Sequence, residues 1–375
     1  MFSRILFIVF FFCLANVSPK LLHAQAKDFR NTDQKKQETI LHGHLFNDDD
    51  ILQIILTGKL NKLFSNRNGN IVYHPMLLQY RNIDSSLTSI QLNMQTRGNF
   101  RRRKENCTMP PLMMNFPKSK MNNTIFEKQN KLKLVVPCRG DEYVIQEWLV
   151  YKLYNLVTEK SFKARLVQVE FEDSLGKRKT ETHYCILLED EKSVAERNKA
   201  IVLNKIKVAM QNTDKDQFLK MAVFQFMIGN TDWSVPYMQN IKLITKDSAK
   251  APFPIPYDFD HAGIVSAPYA LPAEELGMSS VRERRYRGLC EANKNNFAET
   301  FTLFNKLKDD FYSVYTNCKL LNARYVKFVT KYLDDFYNII NKDKSIEQEF
   351  GNPCHEEIRI EIKGLKEESV RKEKT

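Results

Sequence analysis

The hydrophobic period of this chain changes partway along, and that change limits what it can fold into. Up to about residue 192 the apolar residues mostly alternate with polar ones, whereas beyond Ser193 they recur at helical spacing. Within residues 87–94, Ile90, Leu92 and Met94 face one way and Gln91 and Asn93 the other, the pattern of a half-buried strand. Residues 71–80, 112–116, 131–136, 167–171 and 182–188 are further strand candidates. The last two flank Asp173-Ser174-Leu175-Gly176, a hairpin signal. Two helices are expected in this half. Asp48-Asp49-Asp50 is placed to cap one whose apolar face is Ile51, Leu52, Ile54, Ile55 and Leu60. The other, 143–157, carries Ile145, Leu149, Leu153 and Leu156 along one side.

In the second half, Thr213 with Asp216 resembles a capping box opening a helix through Ile228, and Gly229 suits its exit. Residues 239–245 read as a strand. Residues 297–317 and 322–340 read as two long amphipathic helices whose Phe and Tyr stripes belong to a core. The expectation is an α+β chain with a β-rich N-lobe over 43–192, a helical C-lobe over 193–340 and a charged, loosely held tail over 341–375.

The first residues read as an address. Arg4, the apolar run 5–17 and Ala24-Gln25-Ala26 form the three parts of a secretory signal peptide over 1–26, followed by a flexible leader over 27–42. The expected destination is the periplasm or the cell surface. No later segment is apolar enough to cross a bilayer. Without Arg4 and Lys20 the 57 Lys and Arg become 55, against 45 Asp and Glu, a net charge of +10. The only dense basic run is Arg97, Arg101, Arg102, Arg103 and Lys104. With no nucleic-acid-binding motif, no specific nucleic acid is expected as partner. Six cysteines follow the leader, an even number that permits fifteen disulfide connectivities. Arg282, Arg284, Arg285 and Arg287 form a charged segment read either as a solvated face or as a receiver for an acidic substrate.

The chemistry concentrates between Ile228 and Gly263. Asp232 follows the expected helix exit, Asn240 opens a strand, and Asp258 and Asp260 follow the Pro-rich stretch 251–256. Scaffold-held loops are where catalytic groups tend to sit. An Asp to orient a hydroxyl, with an Asn and a later Asp to hold Mg²⁺ against phosphates, is the requirement of phosphoryl transfer. A calcium-dependent adhesion module built on Asp258 and Asp260 is a weaker alternative.

Gly229-Asn230-Thr231-Asp232, Asn240 and Pro256-Tyr257-Asp258 resemble the active-site core of HipA-type and CotH-type atypical kinases. Thr96-Arg97-Gly98-Asn99 resembles the R-G-N segment of CotH-type proteins, and Leu187-Leu188-Glu189 their L-x-E segment. The resemblance implies a two-lobe kinase-like fold that uses ATP or another nucleotide with Mg²⁺ or Mn²⁺. The acceptor would be a hydroxyl on an envelope protein or glycan. It makes Asp232 the catalytic Asp, and Asn240, Asp258 and Asp260 metal ligands. Lys133 becomes the strand lysine for the phosphates, with Lys131 its rival if the register differs. Glu147 is the expected ion-pair partner of Lys133, and Arg97 and Arg101 are further phosphate contacts. The chain departs from the pattern at Ser234, where HipA-type kinases carry His, in its longer Asp-to-Asn spacing and in having no Gly-rich phosphate loop. These departures leave open a catalytically inactive kinase-like binding or structural protein.

Overall fold

The computed structural model describes residues 45–351 except 83, 118–120, 205–206 and 291–293. The expected signal peptide, the leader and most of the charged tail lie outside the described residues.

Seven strands form the first half: β1 (Leu52–Gly58), β2 (His74–Arg81), β3 (Leu87–Thr96), β4 (Leu112–Asn115), β5 (Lys131–Val135), β6 (Ala164–Asp173) and β7 (Glu181–Leu188). They close into a barrel in the order β1-β2-β3-β4-β5-β7-β6. The closing pair β1–β6 is parallel, with Ile54 opposite Val169, and the other pairs are antiparallel. Alternation fills the interior: Ile54, Leu56, Ile90, Leu92, Met94, Leu132, Leu134, Val167, Val169, Cys185 and Leu187 share one core. The helix expected from Ile51 is a correction. Residues 52–58 are a strand, and a short helix, α1 (Leu60–Ser65), starts only afterwards. The β-branched run Ile54-Ile55 and pairing on both edges outweigh the aspartate cap, and Asp48 instead pairs with Arg165 at 2.7 Å.

Where β6 and β7 meet, the outer face is apolar as well. Leu166, Ile186 and Leu188 belong to a second, larger core with α2 (Asp141–Val157). Ile145, Leu149 and Leu153 of α2 are buried there, but Leu156 points outward and is 40 % exposed.

The second half contributes α3 (Glu191–Arg197), β8 (Ile201–Leu203), α4 (Lys215–Ile228), β9 (Ile241–Thr245), β10 (Phe253–Pro256), α5 (Ala298–Lys306), α6 (Lys308–Thr316), α7 (Ala323–Ile340) and α8 (Asp343–Phe350). The strands form a small sheet, β10-β9-β8. The Pro-rich stretch forms β10 because it is an edge strand, where Pro254 leaves no central ladder bond unmade. Helix α4 is capped by Asp214, which accepts the Gln217 N–H at 2.9 Å, and not by Thr213. Its buried residues, among them Phe218, Phe224 and Phe226, make it the centre of the larger core. The helix expected over 297–317 is broken at Leu307 into α5 and α6. The start of the tail is ordered: α8 seats Phe350 against Phe226, Tyr286, Phe297 and Phe301, with ring centroids 4.7–5.2 Å apart.

Candidate active site

The exit of α4 fixes the first functional group. Gly229 ends the helix at φ +67°, and the N–H groups of Gly229 and Asn230 turn back to the carbonyls of Phe226 and Gln225 at 3.1 and 2.8 Å. Asn230 is buried. Its Nδ2 donates to Gln225 Oε1 at 3.0 Å, and its Oδ1 accepts the Asp232 N–H at 3.0 Å. Arg287 donates to the carbonyls of Thr231 and Trp233, the latter at 3.0 Å. Burial lowers the Arg287 pKa to about 10, opposed by the nearby Asp232. Arg284 donates at 3.1 Å to the Met227 carbonyl and lies over the Tyr332 ring. Arg284 and Arg287 are therefore structural. They hold the loop from behind, and neither forms a solvated face nor receives substrate.

The β9–β10 hairpin fixes the next two groups. Asn240 immediately precedes β9 and Asp258 closely follows β10, so the register that pairs Pro256 with Ile241 brings their backbones together. The Tyr257 N–H donates to the Asn240 carbonyl at 3.0 Å. Both residues lie in the left-handed region, Asn240 at φ +50° and Asp258 at φ +63°. Such backbone is uncommon for non-glycine residues and gathers at functional sites. Asp258 is also held from α2, where Tyr151 Oη accepts its N–H at 2.9 Å.

Asp232 accepts amide hydrogens at both carboxylate oxygens, from Gln239 at Oδ1 and from Asn240 at Oδ2, the latter at 2.9 Å. Burial raises its pKa, and Asp258 adds to the shift; His261, the Asn240 hydrogen bond and Arg287 oppose it. The Asp258 pKa is raised by burial and by Asp260, against Arg97, Arg101 and Lys133. Asp260 is 5 % exposed; its Oδ2 accepts from Tyr269 Oη at 3.0 Å and faces Arg101 Nη1 at 3.5 Å. His261 does not hydrogen-bond Asp260. Its ring lies 5.9 Å from those of Phe100 and Tyr269.

These groups line one cleft of about 560 Å³ between the barrel and the β9–β10 hairpin, with Arg97, Arg101, Lys133, Asp232, Asn240 and Asp258 on its walls. Lys131 and Lys133 share one face of β5, but Lys131 is exposed and Lys133 is the one that lines the cleft. Glu147 is 2 % exposed and sits behind the cleft. The expected Lys133–Glu147 ion pair does not form. Lys133 Nζ lies over the Tyr257 ring, 4.2 Å from its centroid. Burial together with Arg97 and Lys242 lowers its pKa to about 8, against Asp258 and Glu191. The charges felt by Glu147 are Asp260, Asp258 and Arg101; burial first and then the two aspartates raise its pKa well above the usual range. The reason is reach: α2 turns Glu147 beneath the 258–260 segment, while β5 points Lys133 across the cleft toward Tyr257.

Among the described residues no group of three or more His, Cys, Asp or Glu side chains is arranged to hold a metal alone. A nucleotide-bound Mg²⁺ needs less from the protein, usually one or two carboxylates besides phosphate and water. Asn240 spends its amide hydrogens on Asp232, and neither its Oδ1 nor the Asp258 carboxylate accepts a hydrogen bond from a described residue. Those two hard oxygen donors fit such an ion. Asp260, engaged by Tyr269 and Arg101, is less free to do so.

One disulfide shapes the cleft wall. Cys107 and Cys138, 31 residues apart, bond the end of the arginine-bearing loop to the segment between β5 and α2. Cys185 and Cys318 are free thiols. Tyr151, Gln239 and Arg287 are site residues that spacing did not reveal. Only Gln239, beside Asn240, carried a local signal.

No protein-family model matches the chain, and no curated protein matches it. Among solved structures it is similar to the Helicobacter pylori proinflammatory kinase CtkA, at 13 % identity and a TM-score of 0.40, over 68 % of this chain and 95 % of that one. A likeness this slight carries no functional conclusion. Among the described residues no helix is long and apolar enough to cross a membrane.

Proposed function

We propose that this chain is a kinase-like phosphotransferase that binds ATP or another nucleotide with Mg²⁺ or Mn²⁺ and phosphorylates a hydroxyl on an envelope protein or glycan. The observation that carries the reading is the convergence of Asp232, Asn240 and Asp258 on one cleft, facing the cations Arg97, Arg101 and Lys133. Asn240 and Asp258 would hold the metal, with Asp260 a second carboxylate behind them. The ion would offset charge on the phosphates and orient them. Asp232 would orient an acceptor hydroxyl and take its proton, and burial, which raises its pKa, would make it a better base than a solvated aspartate. The proposed lobes are 43–192 and 193–340. A closed seven-stranded barrel is not the usual kinase N-lobe, so the reading rests on the site and not on the barrel. An exported protein suits the Cys107–Cys138 disulfide, since such bonds persist in oxidising compartments.

The test is thermal unfolding of residues 27–375 with Mg²⁺ or Mn²⁺, with and without ATP, beside Asp258→Ala. A ligand that binds only the folded chain raises its stability. The expected result is a metal-dependent rise with ATP that disappears in Asp258→Ala; no rise with any nucleotide would sink the proposal. A second reading, an inactive kinase-like envelope binding protein, draws on the two amide hydrogen bonds that already occupy the Asp232 oxygens. It differs in outcome: nucleotide or partner binding would survive Asp232→Ala, and no phosphoryl transfer would be found in the wild type.

A further inference from the structure

We propose that the acceptor is the sugar ring of a glycan, seated on an aromatic platform of Phe100, His261 and Tyr269, with two neighbouring hydroxyls directed at Asp232 and Gln239. The inference rests on the phosphotransferase reading and deepens it by choosing a glycan over a protein.

The platform is the first observation. Phe100 sits on the loop that carries Arg97 and Arg101 and is 44 % exposed. Its backbone is held: the carbonyl accepts from Asn106 Nδ2 at 2.8 Å and from the Arg103 N–H at 3.2 Å. Its ring lies 5.9 Å from that of His261 and 6.3 Å from that of Tyr269, and those two are 5.9 Å apart. Tyr269 is anchored in turn by its hydroxyl, which donates to Asp260 at 3.0 Å. Scattered exposed apolar side chains need no explanation. Phe100 differs because two rings hold it in place without covering it, and because it and His261 line the cleft that also holds Asp232. The face of an aromatic ring is negative and attracts polarised C–H groups, and a sugar ring presents a face of them.

The second observation is an acceptor atom left without a donor. Gln239 donates through Nε2 to Asp232 Oδ1, which fixes the orientation of its amide. Its Oε1 is buried and has no hydrogen-bond partner among the described residues, although the residue lines the cleft. An unpaired buried oxygen is costly, and a donor hydroxyl would relieve that cost. Gln239 stands one hydrogen bond from Asp232, so its donor and the hydroxyl served by Asp232 belong to one small fragment. A serine or tyrosine side chain has a single hydroxyl and leaves Gln239 unpaired. A sugar carries hydroxyls on adjacent carbons of one rigid ring and can serve both. Asn99 and Tyr237 on the same walls add an amide and a phenol suited to further hydroxyls.

In the transfer the sugar oxygen forms a bond to the γ-phosphorus and the bond from that phosphorus to the β–γ bridging oxygen breaks. The nucleoside diphosphate leaves with the bridging oxygen, and Asp232 takes the hydroxyl proton.

The experiment uses residues 27–375 with the disulfide intact. The probes are cellobiose, maltose, lactose and N,N′-diacetylchitobiose, set against peptides containing serine, threonine or tyrosine. Saturation-transfer NMR reads saccharide binding, and movement of labelled γ-phosphate from Mg²⁺–ATP identifies the acceptor. At least one saccharide is expected to bind and accept phosphate, and the peptides are not. Phe100→Ala should raise the KM for that saccharide roughly tenfold or more, while Phe100→Trp, which restores a platform, should hold it within about threefold of the wild type. Gln239→Met should raise it roughly threefold or more. Phosphate accepted by a peptide and by no saccharide overturns the proposal. So does a saccharide KM that either Phe100→Ala or Gln239→Met leaves unchanged. If Mg²⁺–ATP binds but no saccharide binds or is phosphorylated, the glycan assignment falls and the nucleotide site stands. If no nucleotide binds, the phosphotransferase reading falls and takes the acceptor role with it.

Discussion

Asn240 gives two amide hydrogen bonds to Asp232, one to its backbone carbonyl at 2.8 Å and one to Oδ2 at 2.9 Å. A residue at the end of a hairpin thereby fixes both the path and the carboxylate of a residue at the exit of a helix. The clamp leaves the Asn240 side-chain Oδ1 free and turns two separate chain segments into one rigid edge of the cleft. An aspartate cannot replace it, because two carboxylates would then face each other with no hydrogen between them.

The clamp and the left-handed backbone of Asn240 can be separated. Asn240→Ala loses both, and is expected to cost about 3 kcal/mol in urea unfolding, from hydrogen bonds to a charged group and from the left-handed penalty on a Cβ. Asn240→Gly keeps the φ of +50° at ease and loses only the hydrogen bonds, so it should cost about 1 kcal/mol less than alanine. Equal losses in the two variants would show that the backbone conformation carries no cost here.

The parts of the site legible in the sequence are those set by local rules. Asp232 follows a glycine that ends a helix, and Asn240 and Asp258 bracket two paired strands, so spacing along the chain translates into nearness in space. The burial of Glu147 was not legible, because the apolar stripe of Ile145, Leu149 and Leu153 leaves residue 147 on the other side of the helix, where the 258–260 segment covers it. Arg101 arrives from a loop whose conformation depends on Cys107 pairing with Cys138, one of fifteen connectivities. Barrel closure was hidden for a similar reason. It rests on the parallel β1–β6 pairing, Leu52 opposite Val167 through Gly58 opposite Asp173, between segments remote in sequence. The local signal at β1, three aspartates before an apolar run, favoured a helix. The break at Leu307 and the seating of Phe350 likewise stem from aromatic packing in the larger core and not from the local period.

Gly229 is expected to tolerate no side chain. At φ +67° a Cβ would stand 2.0 Å from Tyr332 Oη. Gly229→Ala should destabilise the chain by at least about 2 kcal/mol, combining the left-handed penalty with the overlap. Tyr332→Phe removes the clashing oxygen but also the 3.0 Å hydrogen bond to the Arg282 carbonyl. The double variant should therefore lose less than the sum of the singles, by about 1 kcal/mol. Additive losses in chemical denaturation would place the cost in the backbone alone.

Removing the disulfide by Cys107→Ser with Cys138→Ser should lower stability by roughly 3–4 kcal/mol, the chain-entropy value for a loop closed by residues 31 apart. The same pair of substitutions should weaken Mg²⁺–ATP binding more than it shifts the binding of Mg²⁺ alone, since the freed loop carries Arg97 and Arg101 while Asn240 and Asp258 lie on the hairpin. Equal effects on the two ligands, measured by calorimetry, would show that the staple supports the whole cleft and not the arginine loop in particular.

Lys133 makes binding and stability respond to pH in opposite senses. Its pKa is lowered to about 8, by burial first and by Arg97 and Lys242, from an unfolded value near 10.5. A base with a depressed folded pKa contributes stability that is fully present above the unfolded value and is lost as pH falls through the folded one. Raising the pH from 7 to 9 should therefore relieve the unliganded chain of a desolvated ammonium, and Lys133→Met should remove that part of the slope. Over the same range the lysine loses the charge that attracts phosphate, so Mg²⁺–ATP affinity should fall as pH passes about 8. In Lys133→Arg, which stays charged, the affinity should be nearly flat with pH. A wild type whose affinity is also flat from pH 7 to 9 would mean that Lys133 does not touch the phosphates.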